Sequence, residues 1–355
     1  MVKPVFLDQS GSLRSFAGPR RTEQHDIGKF GLIERICSRV EPQNASTVKG
    51  CGDDTAVIDA GNRYVLLSTE LLLEGVHFDL TYYPLQHLGY KAVVAGISDI
   101  LAMNGTPRQI ELALGIPARF SVEMVDRLYD GVRAACDRYR TDLAGGDTTA
   151  SVNGLAIGVT AAGDVAKDRI AYRSGAKPND LICLSGDLGA AYMGLHLLER
   201  EKRACGGQPD PKPKFEGHEY ILGRQLKPEA RTDIIERLAE AGIVPTSMID
   251  ITDGLASETL HLCKSSGCGA RIYLDRLPIA RQTHDMAEEL HADPVVAALN
   301  GGQDYELLFT VPLSKQQEIF ALGVDVIGHV TAAGTGAMLV TPDGSEIALK
   351  APGWK

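Results

Sequence analysis

The feature that most limits how this chain can fold is the alternation of two periodicities along it. Segments with apolar residues three and four apart follow short segments that are apolar at every second position or continuously, so helices and strands must share layers. Phe30, Ile33, Ile36 and Val40 have helical spacing that stops before Pro42. Residues 55–59 and 63–69 predict two strands joined across Gly61-Asn62, and 87–103 predict a helix with Leu88, Val93, Ile97 and Ile100 near one face. A strand over 109–116, a helix over 121–138 capped by Ser121 and a strand over 155–165 follow. The pattern breaks at 174–179, where Gly175, Pro178 and Asn179 interrupt it, and then restarts. Strands are expected at 180–185, 248–251, 270–274 and 305–311. Helices are expected at 188–202, 229–241, 254–265, 283–290 and 315–322, with an exposed loop at 204–216 and a β-rich tail. The class is α/β (α+β).

A chain of 355 residues exceeds what one hydrophobic core usually serves, so two domains are expected. The division reads as 1–27, 28–170 and 171–355. Residues 1–24 are polar, carry Gly11, Gly18 and Pro19, and fit neither a secretory signal nor a helix; they read as a mobile leader. No apolar run approaches the roughly 20 residues of a bilayer span, so no membrane association and a cytoplasmic location are expected. The net charge of −10 argues against nucleic acid or an anionic membrane as partner. It also means that a polyanionic ligand would need cations to mediate its binding. Seven scattered cysteines predict reduced, mostly buried thiols. His261, Cys263 and Cys268 have no second ligand pair at zinc spacing.

The chain has no Gly-x-x-x-x-Gly-Lys-Ser/Thr loop and no kinase catalytic-loop signature. It has instead acidic residues beside Gly or small hydroxyl residues at the ends of predicted elements. These are Gly52-Asp53-Asp54, Ser68-Thr69-Glu70, Ser98-Asp99, Gly145-Gly146-Asp147-Thr148-Thr149 and Asp250-Ile251-Thr252-Asp253-Gly254. Any one of them reads as a turn or an N-cap. Five such clusters, spread over both halves, are placed to converge on one crevice. Carboxylates with Ser/Thr hydroxyls are the oxygen ligands Mg²⁺ prefers, and crowded carboxylates need such neutralisation. Mg²⁺ in turn holds substrate phosphates, so an acidic chain can bind a nucleotide such as ATP through it. Gly145-Gly146 and Gly186-Asp187-Leu188-Gly189 read equally as phosphate-cradling backbone or as tight turns.

In this order the clusters resemble the thiamine-monophosphate kinase family, within the superfamily of aminoimidazole ribonucleotide synthetase. The resemblance runs from Gly28 to Lys355. It includes Gly28-Lys29-Phe30-Gly31, Gly52-Asp53-Asp54-Thr55-Ala56, Glu74-Gly75-Val76-His77-Phe78, Lys91-Ala92 through Ser98-Asp99, Arg173-Ser174-Gly175-Ala176, Gly301-Gly302-Gln303-Asp304-Tyr305-Glu306-Leu307 and Gly353-Trp354-Lys355. It implies a two-domain fold whose N-terminal sheet forms a barrel across a homodimer. The implied reaction moves the γ-phosphoryl group of ATP onto the phosphate of thiamine monophosphate, with several Mg²⁺ ions and room for a monovalent cation.

By matched position, the resemblance implies that Asp54, Ser68, Thr69, Glu70, Asp99, Asp147, Asp250 and Asp253 hold magnesium. Tyr129, Gly146, Asp147, Arg173 and Thr252 would meet ATP. His77, Gln303 and Trp354 would meet thiamine monophosphate, and Asp99, Asp147 and Arg173 would carry the chemistry. Glu70 stands where the family usually has Asp, Gln303 where it has Glu, and Thr252 where it has Ser. Two other readings stay open on sequence: an ATP-dependent cyclo-ligase of the same superfamily, and a nucleotide- or Mg²⁺-binding protein without turnover.

Overall fold

The computed structural model describes residues 5–7, 13–15, 24–206 and 212–351. The chain forms two units, 1–41 with 352–355, and 42–351. In the first, β1 (Val5–Leu7) pairs antiparallel with β2 (Leu13–Ser15), and α1 (Gln24–Cys37) is interrupted at Gly28, whose φ is 66°. The expected leader therefore contains two short strands and the start of a helix. Its remaining residues, and Trp354 at the other end, lie outside the described residues.

The second unit opens with β3 (Thr47–Lys49), β4 (Ala56–Asp59), β5 (Arg63–Leu73), α2 (Leu85–Ala102), β6 (Thr106–Pro117), α3 (Val122–Tyr139), β7 (Asp142–Ser151) and β8 (Ala156–Ala166). Its first sheet has the order β3-β4-β5-β8-β6-β7, antiparallel except between β6 and β7. Along β5 the side chains alternate: Leu66, Ser68 and Leu72 point inward, while Leu67, Thr69, Leu71 and Leu73 are exposed. Helix α2 covers the inner face and is apolar nearly all round, as a helix enclosed by protein must be. It crosses α3 at glycines. A Cβ on Gly89 would lie 2.0 Å from the Leu128 carbonyl oxygen, and one on Gly131 would lie 1.7 Å from that of Gln86. Ser121 caps α3, its hydroxyl accepting from the Met124 N–H.

The rest of the unit contains β9 (Leu181–Leu184), α4 (Ala190–Cys205), α5 (Glu219–Leu226), α6 (Thr232–Glu240), β10 (Ser247–Asp250), α7 (Leu255–Ser266), β11 (Gly269–Tyr273), α8 (Arg281–Leu290), α9 (Pro294–Asn300), β12 (Leu307–Val311), α10 (Gln316–Ala321), β13 (Asp325–Thr331), β14 (Ala337–Val340) and β15 (Glu346–Ala348). The second sheet runs β10-β12-β9-β13-β11-β14-β15, and only β11–β14 is parallel. Helix–strand alternation in the sequence thus produces a mainly antiparallel α+β arrangement, because alternation alone does not fix strand direction.

Helices α5 and α9 are additions to the sequence reading. For α9 a signal was present: Pro294 is its first residue, and Asp293 caps it with Oδ1 accepting the Val295 N–H at 2.8 Å. Of the seven free cysteines, Cys136, Cys183 and Cys263 are buried and Cys51 is exposed. Among the described residues no helix is long and apolar enough to cross a membrane.

One packing relation places the site. Helix α2 lies against β5 and β8 of the first sheet and against β10 of the second. Its C-terminal half therefore meets the end of β10, and residues from both halves of the chain come together there.

Candidate active site

Three carboxylates from three elements converge. Asp54 precedes β4, Asp99 lies in the last turns of α2 and Asp250 ends β10; one oxygen of each lies within 4.8 Å of the others. Asp54 and Asp250 are buried, and Asp99 is partly buried. Removal from water and mutual repulsion both disfavour their charged forms. Burial, then Asp54, push the Asp250 carboxyl up to about 8, while Ser98 Oγ donates to its Oδ2 and partly offsets this. Burial also raises Asp99 well above the usual carboxylate range, with Asp250, Glu70 and Asp54 adding to it. Asp54 is raised by burial, and Arg173 opposes the shift.

Arg173 is the cation of this cluster. Its Nε and Nη2 donate to Asp54 Oδ1 at 3.1 and 2.5 Å, and its backbone N–H donates to Asp53 Oδ1 at 3.0 Å. Asp53 also accepts from the Asp54 N–H, and burial lifts its carboxyl to about 6. Asp54 Oδ2 is buried without a hydrogen-bond partner among the described residues. A buried carboxylate oxygen left unbonded beside two other acids is costly by itself, and it fits a site that receives a metal ion.

The turn after β10 is held by a residue the sequence reading passed over. Glu258, near the start of α7, accepts from the Thr252 N–H at 3.1 Å and the Asp253 N–H at 2.7 Å through Oε1. Burial pushes its carboxyl up to about 7. Its position four residues after Gly254 at the helix start was the available signal. The loop 301–305 packs on the same turn. Gly302 has φ 72°, and a Cβ there would lie 2.3 Å from the Thr252 carbonyl oxygen. Gln303 and Tyr305 also adopt positive φ, 58° and 54°, an unfavourable state for residues with side chains. Their N–H groups donate to the carbonyls of Thr252 and Ile251. Glu306 anchors the loop from behind, accepting from Ser185 Oγ, Arg224 and Arg231.

The structure sorts the other expected residues. Glu70 faces the cluster, its charge acting on Asp99 and Tyr305, and Asp253 also acts on Tyr305. Ser68 points inward too, but its hydroxyl donates to the Gly96 carbonyl of α2 at 3.1 Å. Thr69 projects from the opposite face of β5 beside Thr160. Gly146 and Asp147 belong to the exposed part of β7, an edge strand, rather than to a turn. Tyr129 on α3 is partly buried against the main core. His77 accepts the Leu73 N–H through Nδ1 and, with Gln303, lines a cavity of about 340 Å³ walled by Phe78, Tyr82 and Tyr83. The Gly186–Gly189 segment acts as a turn: the Gly189 N–H is taken by Asp304 and the Leu188 N–H by Pro278.

Residues 52–165 match the AIR synthase related protein, N-terminal domain, and residues 177–341 its C-terminal domain. The thiamine-monophosphate kinase of Aquifex aeolicus is 33% identical over 331 residues, covering 93% of this chain and 98% of that protein. The chain belongs to the thiamine-monophosphate kinase family. The Escherichia coli K12 thiamine-monophosphate kinase is 34% identical over 338 residues, 92% of this chain and 97% of that protein. A solved structure described as AaThiL complexed with AMPPCP and TMP superposes with a TM-score of 0.79 at 32% identity, covering 92% of this chain and 97% of that one. Membership in the thiamine-monophosphate kinase family makes this chain an enzyme and a phosphotransferase, with the family's two-domain fold.

Proposed function

We propose that this enzyme transfers the γ-phosphoryl group of ATP to the phosphate of thiamine monophosphate, giving thiamine diphosphate. The observation that carries the reading is the meeting of Asp54, Asp99 and Asp250 from both halves of the chain, with one buried oxygen left unbonded. The family relatives, one of them solved with an ATP analogue and TMP, support the choice of substrates. Asp54, Asp99 and Asp250 would hold Mg²⁺, with Glu70 and Asp253 nearby. Magnesium bound there supplies neutralisation where two anionic phosphates must approach each other.

The chain's own residues do the positioning. Arg173 is fixed by Asp53 and Asp54 through its N–H, Nε and Nη2, leaving Nη1 free of protein partners among the described residues to donate to a phosphate oxygen. Glu258 sets the Thr252-Asp253 turn. The aromatic cavity beside His77 and Gln303 receives the thiamine moiety, and the family resemblance assigns Trp354 to the same substrate. Asp147, Gly146 and Tyr129 are assigned ATP contacts on the same resemblance, with the metal roles of Ser68 and Thr69. The exposed Leu67, Leu71 and Leu73, with Leu143 on β7, support a homodimer formed across the first sheet. The division into 28–170 and 171–355 and a cytoplasmic location complete the reading.

Incubation with Mg-ATP and thiamine monophosphate tests it, with thiamine diphosphate read by its fluorescent oxidation product. Formation of the diphosphate supports the assignment. ADP without diphosphate would send the search to other acceptors.

A further inference from the structure

The cavity beside Gln303 has a buried lysine behind it that the reaction described above does not use. Lys91, in the middle of α2, is 2% exposed. Its Nζ donates to Gln303 Oε1 at 2.5 Å and to the Gln225 carbonyl at 3.0 Å, and it lies 5.7 Å from the centre of the Tyr83 ring. No carboxylate reaches it at ion-pair distance among the described residues. The attracting acid is Asp304, itself bonded by the Gly189 N–H and 3.7 Å from Arg224. Burial lowers the lysine's pKa to about 7. A lysine with neutral partners in the core is costly, so its placement calls for a compensating role.

The geometry at Gln303 supplies one. A lysine amine offers donors to its neighbours, so the carboxamide atom facing it must be the oxygen. The amide NH₂ then points away from Lys91, and it has no partner among the described residues. Gln303 lines the cavity together with Gln225, His77 and Tyr83. Its backbone is held in the positive-φ state by the Thr252 carbonyl, so neither end of the residue is free to turn. Tyr83 stiffens the support, its hydroxyl donating to the carbonyls of Gln225 and Leu226 at 3.0 Å.

We infer that Lys91 is a positioning residue for the acceptor substrate: it holds Gln303 by its oxygen and thereby presents the amide NH₂ as a donor to the cavity. The substrate group meeting Gln303 is accordingly a hydrogen-bond acceptor, a phosphate or hydroxyl oxygen or a ring nitrogen. This rests on the reading that the cavity receives thiamine monophosphate. The same α2 carries Lys91 and, two turns on, Ser98 and Asp99, so one rigid element sets both the substrate donor and the acidic cluster.

The test is steady-state kinetics on the full chain, measured for both substrates in the wild type, Lys91→Met, Gln303→Met and the double variant. Lys91→Met and Gln303→Met should each raise KM for thiamine monophosphate about tenfold, the effect of one lost hydrogen bond, and move KM for ATP less than about twofold. The double variant should be no worse than either single one, because both remove the same donor. Effects that multiply, or a KM for thiamine monophosphate unchanged in either single variant, would overturn the inference. A merely structural lysine would lower kcat and shift both KM values alike. If Lys91→Met does not fold, Gln303→Met decides alone, an unchanged KM overturning the donor role. A wild type that makes no thiamine diphosphate would count against the substrate reading, whereas wild-type turnover with unmoved variants counts against Lys91.

Discussion

Arg173 binds Asp54 through a single oxygen: Nε and Nη2 both donate to Oδ1, and Oδ2 is left buried and unbonded. On the proposed reading, the pairing holds Asp54 in place for a metal ion. It also joins the region that follows the first sheet to the segment just before β4. An arginine at 173 thus neutralises one acid of the cluster through one oxygen and leaves the other without a hydrogen bond among the described residues.

Replacing Arg173 with Lys should therefore not be conservative. The planar fork is lost, Asp54 can rotate, and the free Nη1 disappears. The expected result is a fall in kcat of about a hundredfold or more, with the fold intact by circular dichroism. Near-normal turnover would remove Arg173 from the site.

Asp99→Asn changes one atom and removes one charge. With Asp54 and Asp250 left to hold metal, kcat should drop by about a hundredfold or more, and the magnesium concentration for half-maximal rate should rise. Full activity at ordinary magnesium would exclude Asp99 as a ligand.

The acids set the sign of a pH effect on stability. Asp53, Glu258 and Asp250 are raised to about 6, 7 and 8 in the folded chain. The folded state therefore binds more protons than the unfolded one from the ordinary carboxylate range near pH ~4 upward, and their contribution is lost as pH rises toward those values. Magnesium at the proposed ligands Asp54, Asp99 and Asp250 would require their deprotonated forms, and burial raises all three carboxyls. The melting temperature should thus gain more from added magnesium at pH 8 than at pH 5.5. Equal gains at both would contradict a metal held by Asp250 and its neighbours Asp54 and Asp99.

Gly302→Ala tests the loop. A methyl would meet the Thr252 carbonyl at 2.3 Å in a backbone state that already disfavours a side chain. A loss of at least ~2 kcal/mol in unfolding free energy is expected, with a raised KM for thiamine monophosphate as Gln303 shifts. Unchanged stability and KM would mean that the loop does not depend on this contact.

What could be read from the sequence follows from which signals are local. The periodicities of α2, α3, β5 and β8 and the acids at element ends are properties of short stretches, so Asp54, Asp99 and Asp250 were nameable before any coordinates. Strand direction was not, because alternation looks the same in parallel and antiparallel sheets. Thr69 shows the limit at one residue: its motif is acidic and hydroxylic, but strand alternation turns its side chain to the far face from Ser68 and Glu70. Lys91 was quoted only as part of a motif, since its role depends on Gln303, more than 200 residues away in the chain. Glu258 reads as an ordinary helix-start acid until its hydrogen bonds to the 252–253 turn are seen.

The most direct test is thiamine diphosphate formation by the purified enzyme given ATP and thiamine monophosphate, with and without magnesium. The account predicts diphosphate only when all three are present, and its loss in Asp99→Asn. Folded enzyme that binds ATP and magnesium yet forms no thiamine diphosphate would contradict it.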